Sequence, residues 1–436
     1  MGIRRVHQEA EASLETQFRK LLELVEMLRN RVYPEDKGDA GQVACNTLPW
    51  PRRAWVNMRG ENGWKEILAE LPPSGTGTLC PAKNQPDDAH VTETADGFLM
   101  ENRHMAVNIN RNGVITGITD KRSGLPLMNP GQKMNDWRLY ENVEVVYDGW
   151  EMSRDWKRRR VDVPFSVEHV FTQNVPGEAH IKFIYTFGDS DVDQDIVLKA
   201  DTHYLEFRAD VNWHERRKLL KVHFESNVLC DDALHEIQFG YVKRPCHASH
   251  PFAADRYESC SNRWTALCEE NRGFAILQDG SRGVSTDRGE IALGLLRAPL
   301  VPDETADRGF HSFRYAIMPF ATAFKEAGVV KAGYEFSVFT YDDDTRSGSC
   351  HAGFWCDSDA IILETIKPAD DGSDDVILRL YESLRTHASG VLRLPFDAKV
   401  YESSMDEEKT GELQGEGREV RLSMKPFEIR TLRIMR

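Results

Sequence analysis

The sequence predicts a mainly β protein, a large antiparallel β-sandwich preceded by one long amphipathic helix and a small β region. Three observations predict it. From about residue 97 onward, apolar and polar residues alternate in many short runs, which is the period of half-buried strands. Asn112-Gly113 lies between two such runs and is a strong hairpin signal. No second convincing long helix follows the one in the first 33 residues.

The helix reads over residues 8–31, where Leu14, Phe18, Leu21, Leu22, Val25 and Leu28 fall on one apolar stripe. Glu9, Glu11 and Glu15 near its start and Arg29 and Arg31 near its end suit the helix dipole. Glu15 and Arg19 form an i,i+4 pair. A lone helix with so wide an apolar face is not stable in water. It needs cover from this chain's β domain, from a copy of itself, or from another partner. Residues 34–96 read as a linker and small β region. The linker is polar over 34–41, and the stretch from Val43 to Arg53 is a short strand ended by Pro49 and Pro51. The stretches 72–77 and 81–88 are rich in chain breakers and read as surface loops.

Residues 97–436 read as the large sandwich, with about 360–436 as a smaller β subdomain. Met105, Val107 and Ile109 share one face of a strand, as do Ile181, Phe183, Tyr185 and Phe187. Leu205, Phe207, Ala209, Val211 and Trp213 face one way while Glu206, Arg208, Asp210 and Asn212 face the other. Leu220, Val222 and Phe224 repeat the pattern. Near the C-terminus Phe427 and Ile429 fit one register and Leu432 and Ile434 the other, which predicts a β-bulge between them. Residues 295–315 read as strand, loop, strand: Leu295 and Leu296 lead to Arg297, Pro299 and Pro302 break the run, and Phe313 to Ile317 re-enter a strand. Binding residues gather on such loops, and so do ordinary solvated charges.

A length of 436 residues allows two or three domains. The net charge of −15 argues against nucleic acid or an anionic membrane as the main partner. No run approaches the length of a bilayer span, and no signal-peptide core is present. The eight cysteines include no C-x-x-C pair, so a reducing compartment, the cytoplasm, is expected.

Most catalytic motifs fail on inspection. His214-Glu215 is not H-E-x-x-H, because residue 218 is Lys. Cys246, His247 and His250 stand close enough to share a metal, but no second cluster at zinc spacing accompanies them. No G-x-S-x-G, P-loop or G-x-G-x-x-G occurs. The acidic turn 370–375 lacks the spacing and closing Glu of an EF-hand.

Several stretches, taken in order, resemble the C-terminal part of glycoside hydrolase family 38 α-mannosidases. They are Asn46-Thr47-Leu48-Pro49-Trp50-Pro51-Arg52, the hairpin from Glu101 to Gly124, and Trp213-His214-Glu215-Arg216. Phe239-Gly240-Tyr241 with Arg244-Pro245 follows, then Asp255-Arg256-Tyr257 to Arg263-Trp264. Leu296-Arg297, Pro302-Asp303 and Asp307-Arg308-Gly309 come next, and Lys425-Pro426-Phe427-Glu428-Ile429-Arg430-Thr431-Leu432 ends the series.

The resemblance implies a supersandwich of the galactose-mutarotase type. It also implies that helix 1–33 is the remnant of a helical bundle. In that family an N-terminal α/β domain carries the chemistry, with zinc held by an H-x-D pair, an aspartate nucleophile and a His-His-Asp segment. Zinc there anchors sugar hydroxyls, and two carboxylates act as nucleophile and acid/base. This chain has neither H-x-D nor a His-His pair, so the catalytic residues and the zinc are expected to lie outside it. What the resemblance leaves here is a supporting role, with Arg297 facing the sugar and Tyr241, Asp307 and His311 as further candidates; loop salt bridging is the competing reading. The implied substrate is a terminal α-linked mannoside, and the implied partner is a separately encoded catalytic domain or a second copy. A stand-alone carbohydrate-binding protein is the alternative, and an enzyme of the aldose-epimerase type a third reading. That third reading requires a His and a carboxylate in one cleft.

Overall fold

The structure, a computed structural model, describes residues 2–32, 42–60, 63–78, 89–143, 146–338, 340–347, 351–413 and 415–435. The expected linker at 34–41 and loop at 81–88 lie outside the described residues. The chain is mainly β, with many antiparallel sheets and one long helix, Gly2–Val32. It divides into two compact units. The first gathers Met1–Arg19, Pro86–Glu236 and Val242–Phe336; the second gathers Lys20–Gln85, Ile237–Tyr241 and Ser337–Arg436.

The helix keeps its apolar stripe in solvent. Every described side chain from Arg5 to Met27 is exposed, including Leu14, Phe18, Leu21 and Leu22. Among the described residues, no helix is long and apolar enough to cross a membrane.

The first unit is a two-sheet sandwich, except that Ile237–Tyr241, at the ends of its two edge strands, group with the second unit. Its ten-stranded sheet runs in the order Ser259–Cys260, Gly283–Asp287, Glu290–Leu296, Lys218–Glu225, Met134–Glu141, Ile115–Asp120, Met105–Asn110, Gly97–Glu101, His90–Thr94, with Arg160–Val161 beside Met134–Glu141. The nine-stranded sheet runs Ser166–Val175, Glu178–Phe187, Ser190–Lys199, Leu205–Trp213, Gly309–Phe320, Gly273–Asp279, Trp264–Cys268, Asp232–Ile237, Gly240–Pro245. Alternation decides which residues meet in between. Phe207 of the nine-stranded sheet packs on Phe224 of the ten-stranded sheet at 6.1 Å, and Tyr315 packs edge-on to Phe224 at 6.0 Å. A polar link crosses this apolar core: Gln194 Nε2 donates to Asn135 Oδ1 at 3.0 Å and to Tyr315 Oη at 2.9 Å, and Asn135 Nδ2 donates back to Gln194 Oε1 at 2.9 Å. All three residues are fully buried, so satisfying these groups internally is obligatory.

The opposite face of the ten-stranded sheet is also covered. Leu219, Lys221 and His223 point away from the sandwich core because Leu220, Val222 and Phe224 point into it. Trp156, on a short 3₁₀ turn, closes over Tyr140 and Leu219. The fully buried Lys221 ammonium lies 4.5 Å from the Trp156 ring centre.

The second unit holds the hairpin Arg52–Gly60/Gly63–Leu71 and a three-stranded sheet of Tyr341–Ser347, Gln42–Asn46 and Gly75–Thr78. It also holds a smaller sandwich over residues 355–435, four strands facing five, with Leu378, Leu392, Leu422, Leu432 and Ile434 in its core. The expected bulge near the C-terminus is absent. Ile429–Met435 pairs with Val376–Glu382 in unbroken register from Ile429↔Tyr381 to Ile434↔Val376. Phe427 sits in the turn before the strand, at φ 56°, so it never shared the strand's alternation.

Candidate functional site

The loop at 297–308 does not join a hairpin. It leaves the ten-stranded sheet after Leu296 and enters the nine-stranded sheet at Gly309, crossing one rim of the sandwich. Such a crossing exposes backbone N–H groups that no ladder satisfies, and acidic side chains take them up. Asp307 Oδ2 accepts from the N–H of Arg297 at 3.0 Å and of Ala298 at 3.1 Å. Asp148, only 1% exposed, accepts from Leu300 N–H at 2.9 Å and Val301 N–H at 2.7 Å. The Gly149 N–H donates to the Val301 carbonyl at 2.9 Å. Here glycine is required by close approach: a Cβ would stand 2.8 Å from the Val301 oxygen.

Arg297 Nη2 donates to the Asp148 carbonyl at 2.7 Å, to Asn142 Oδ1 at 3.1 Å and to the Glu151 carbonyl. Arg217, at φ 50°, completes the knot: its N–H donates to the Ala298 carbonyl at 2.9 Å and its carbonyl accepts from Asn142 N–H at 2.8 Å. His311 Nε2 lies 2.9 Å from the Asp307 carbonyl. Of the four residues expected to face a sugar, Arg297 and Asp307 thus share one loop, and His311 stands on the strand that the loop enters. There Arg297 and Asp307 bond chiefly to backbone. Tyr241 is elsewhere. It is 7% exposed in the second unit, with its ring edge-on to Phe427 at 5.3 Å.

The knot presents two aromatic rings that sequence reading did not single out as a pair. Tyr147 and Trp150 are 48% and 65% exposed with ring centres 5.3 Å apart, on the turn that Arg297 and Asp148 hold. Aromatic faces suit the C–H face of a sugar, and a guanidinium fork suits its hydroxyls. Asp148 gave no signal in the sequence, because its partners are backbone amides about 150 residues away.

A His and a carboxylate do meet, but not in an open cleft. His223 is 3% exposed, its Nδ1 bonds to Glu290, and its Nε2 lies 2.9 Å from Tyr140 Oη. Burial pushes the His223 imidazole below its ordinary value, and Glu290, raised by burial, is held lower by His223 and Arg138. Trp156 packs edge-on to Tyr140 at 4.7 Å. Among the described residues, no three His, Cys, Asp or Glu side chains come together to hold a metal. Cys246 turns toward Cys230, and the His247 and His250 rings are 6.2 Å apart. Cys246, His247 and His250 are therefore not gathered into a metal-binding group.

Two family domains match the chain in order. The glycosyl hydrolases family 38 C-terminal domain matches residues 100–305, and the family 38 C-terminal beta sandwich domain matches residues 360–432. The chain belongs to glycoside hydrolase family 38.

Relatives agree with the family assignment. Alpha-mannosidase 2C1 of Mus musculus is 30% identical over 417 residues, covering 91% of this chain and 40% of the relative. Alpha-mannosidase G of Dictyostelium discoideum is 28% identical over 363 residues, covering 79% of this chain and 33% of the relative. This family 38 chain therefore spans about two fifths of the length of the curated relatives it matches, or less. The crystal structure of an alpha-mannosidase from Enterococcus faecalis V583 shares the fold, with a TM-score of 0.67 at 14% identity over 94% of this chain and 52% of that one. The matched domains include both the Arg297 loop, up to residue 305, and the C-terminal sandwich.

Proposed function

We propose that this chain is the C-terminal β portion of an α-mannosidase that, when complete, hydrolyses terminal α-linked mannose. By itself the chain is non-catalytic and supports one wall of the sugar pocket through the Arg297 loop. The observation that carries this reading is the ordered match of both family 38 C-terminal domains on a chain whose described residues gather no metal-binding group. A catalytic half holding the zinc, on this polypeptide or a separately encoded one, covers the exposed apolar stripe of helix Gly2–Val32; the relatives' additional length supports such a half. The cytoplasm is the proposed location, supported by six described cysteines that are all free thiols.

A second reading, a stand-alone carbohydrate-binding protein, is favoured by the exposed Tyr147–Trp150 pair. One experiment separates the two. The purified chain is offered a chromogenic α-mannoside with and without zinc, and mannoside binding is followed by tryptophan fluorescence. The first reading expects no turnover and no saturable binding until a catalytic half is supplied. Saturable binding lost in Trp150→Ala would establish the second reading. Zinc-dependent turnover by the chain alone would overturn both.

A further inference from the structure

Two cysteines far from the Arg297 loop meet at the base of a hairpin. Cys230 precedes Asp232–Ile237 and Cys246 follows Gly240–Pro245, neighbouring strands at the edge of the nine-stranded sheet. Their Sγ atoms are 3.6 Å apart. The backbone holds them in that relation: Cys246 N–H donates to the Asp231 carbonyl at 2.9 Å, and Arg288 N–H donates to the Cys246 carbonyl at 3.0 Å. The Cys246 thiol also lies 3.2 Å from the Cys230 carbonyl.

The two thiols differ in access. Cys246 is 1% exposed, whereas Cys230 is partly exposed and lines a cavity of about 500 Å³. Arg288 and His247 share that cavity with Asp231 and Ser249. The Arg288 guanidinium on the cavity wall gives a carboxylate-bearing small molecule a cationic partner, set against the Asp231 carboxylate on the same wall. A thiol that donates to its neighbour's sulfur stabilises the neighbour as thiolate. Accordingly Cys246 is held below the ordinary thiol range by its hydrogen bond from Cys230, and Cys230 is raised by the same bond. The hydrogen bond links the two ionisations.

We propose that Cys230 and Cys246 are a reversible dithiol–disulfide site whose oxidant is a low-molecular-weight, carboxylate-bearing disulfide. Cys230 loses its proton to solvent and attacks one sulfur of the small disulfide. An S–S bond forms to Cys230 and one small thiolate leaves. Cys246 gives its proton to the departed small thiolate and, now a thiolate itself, attacks Cys230 Sγ, displacing the second small thiolate, which takes a proton from solvent. The two protein thiols have lost two electrons and two protons, and the small disulfide has become two thiols. The sulfurs must close from 3.6 Å to about 2.0 Å, a shift within reach of side-chain rotation at a solvent-facing cavity. The product staples the open end of an edge hairpin, where a short loop constrains the unfolded chain.

The test uses the full chain in glutathione redox buffers, with thiols trapped by alkylation and peptides mapped without reduction. The expected product links Cys230 to Cys246, is reversed by dithiothreitol, raises Tm, and leaves Cys45, Cys260, Cys268 and Cys356 alkylated. In Cys246→Ser the second displacement cannot occur, so Cys230 accumulates as the glutathione mixed disulfide; circular dichroism checks that the variant is folded. Both thiols remaining reduced in strongly oxidising buffer would overturn the proposal. So would a bridge from Cys230 to Cys268, or a folded Cys246→Ser chain in which Cys230 takes up no glutathione.

Discussion

Glu258 grips Lys221 with both carboxylate oxygens, at 2.9 Å and 2.8 Å from Nζ, while Ser285 Oγ takes a third ammonium hydrogen at 3.0 Å. The two partners are not equally placed: the Lys221 side chain is 0% exposed and that of Glu258 is 21% exposed. Burial pushes the Lys221 ammonium below its ordinary value, and Glu258 is what opposes that shift.

The asymmetry predicts unequal losses. Glu258→Gln leaves an uncompensated charge in a dry site and costs about 3–5 kcal/mol in denaturant unfolding. Lys221→Met leaves a carboxylate that can reach water, so its loss is the smaller of the two. Equal losses would show that the pair is solvated.

The Arg297 loop depends on Asp148 more than its sequence suggests. Asp148→Ala orphans the N–H groups of Leu300 and Val301 and costs roughly 2 kcal/mol. Hydrogen exchange at those two amides should accelerate in the variant while the sheet interior keeps its protection. Unchanged exchange at Leu300 and Val301 would refute the role given to Asp148.

Gln194 is the hub of the polar link across the sandwich. Gln194→Leu keeps the volume but takes the Gln194 hydrogen bonds from Asn135 and Tyr315, both fully buried, leaving them the bond from Tyr315 Oη to Asn135 Oδ1 at 3.2 Å, and is expected to cost about 2 kcal/mol. Chemical denaturation measures this directly. A neutral variant would mean that the Tyr315–Asn135 bond suffices without Gln194.

Acid should weaken the first unit through its buried histidines. Burial, aided by the Arg244 charge, pushes His235 down to about 4, and its Nε2 has no hydrogen-bond partner among the described residues. Burial and the charges of His203, Arg103 and Arg122 also push His104 down to about 4. Because the folded pKa lies below the unfolded value, neither state is protonated above about pH 6.5 and no penalty exists there. As pH falls from about 6.5 toward 4, the unfolded chain takes protons that the folded chain refuses, and stability falls. His235 alone should contribute roughly 1.5 kcal/mol of loss between about pH 6.5 and about pH 5. His235→Gln should flatten that slope in urea melts taken across the range.

Local alternation made much of the fold legible in the sequence. The runs at Ile181–Phe187, Leu205–Trp213 and Leu220–Phe224 became strands with the expected inward faces. Asn112-Gly113 became a turn, with Gly113 at φ 75°. The C-terminal misreading arose from the same rule, because Phe427 imitates an alternating position while belonging to a turn.

The sequence by itself determined the β class, the amphipathic helix and the family, because each is written in nearest-neighbour periodicity or in ordered short motifs. Tertiary structure decided which residues share a place. It sent Tyr241 to a buried contact with Phe427, and gathered Arg297, Asp307 and His311 around a knot tied by Asp148. It also brought Cys230 beside Cys246 and Lys221 beside Glu258. The physical reason is that antiparallel pairing sets neighbours by sheet order and register, and loop amides choose partners by position in space. Neither rule leaves a mark at short range along the chain.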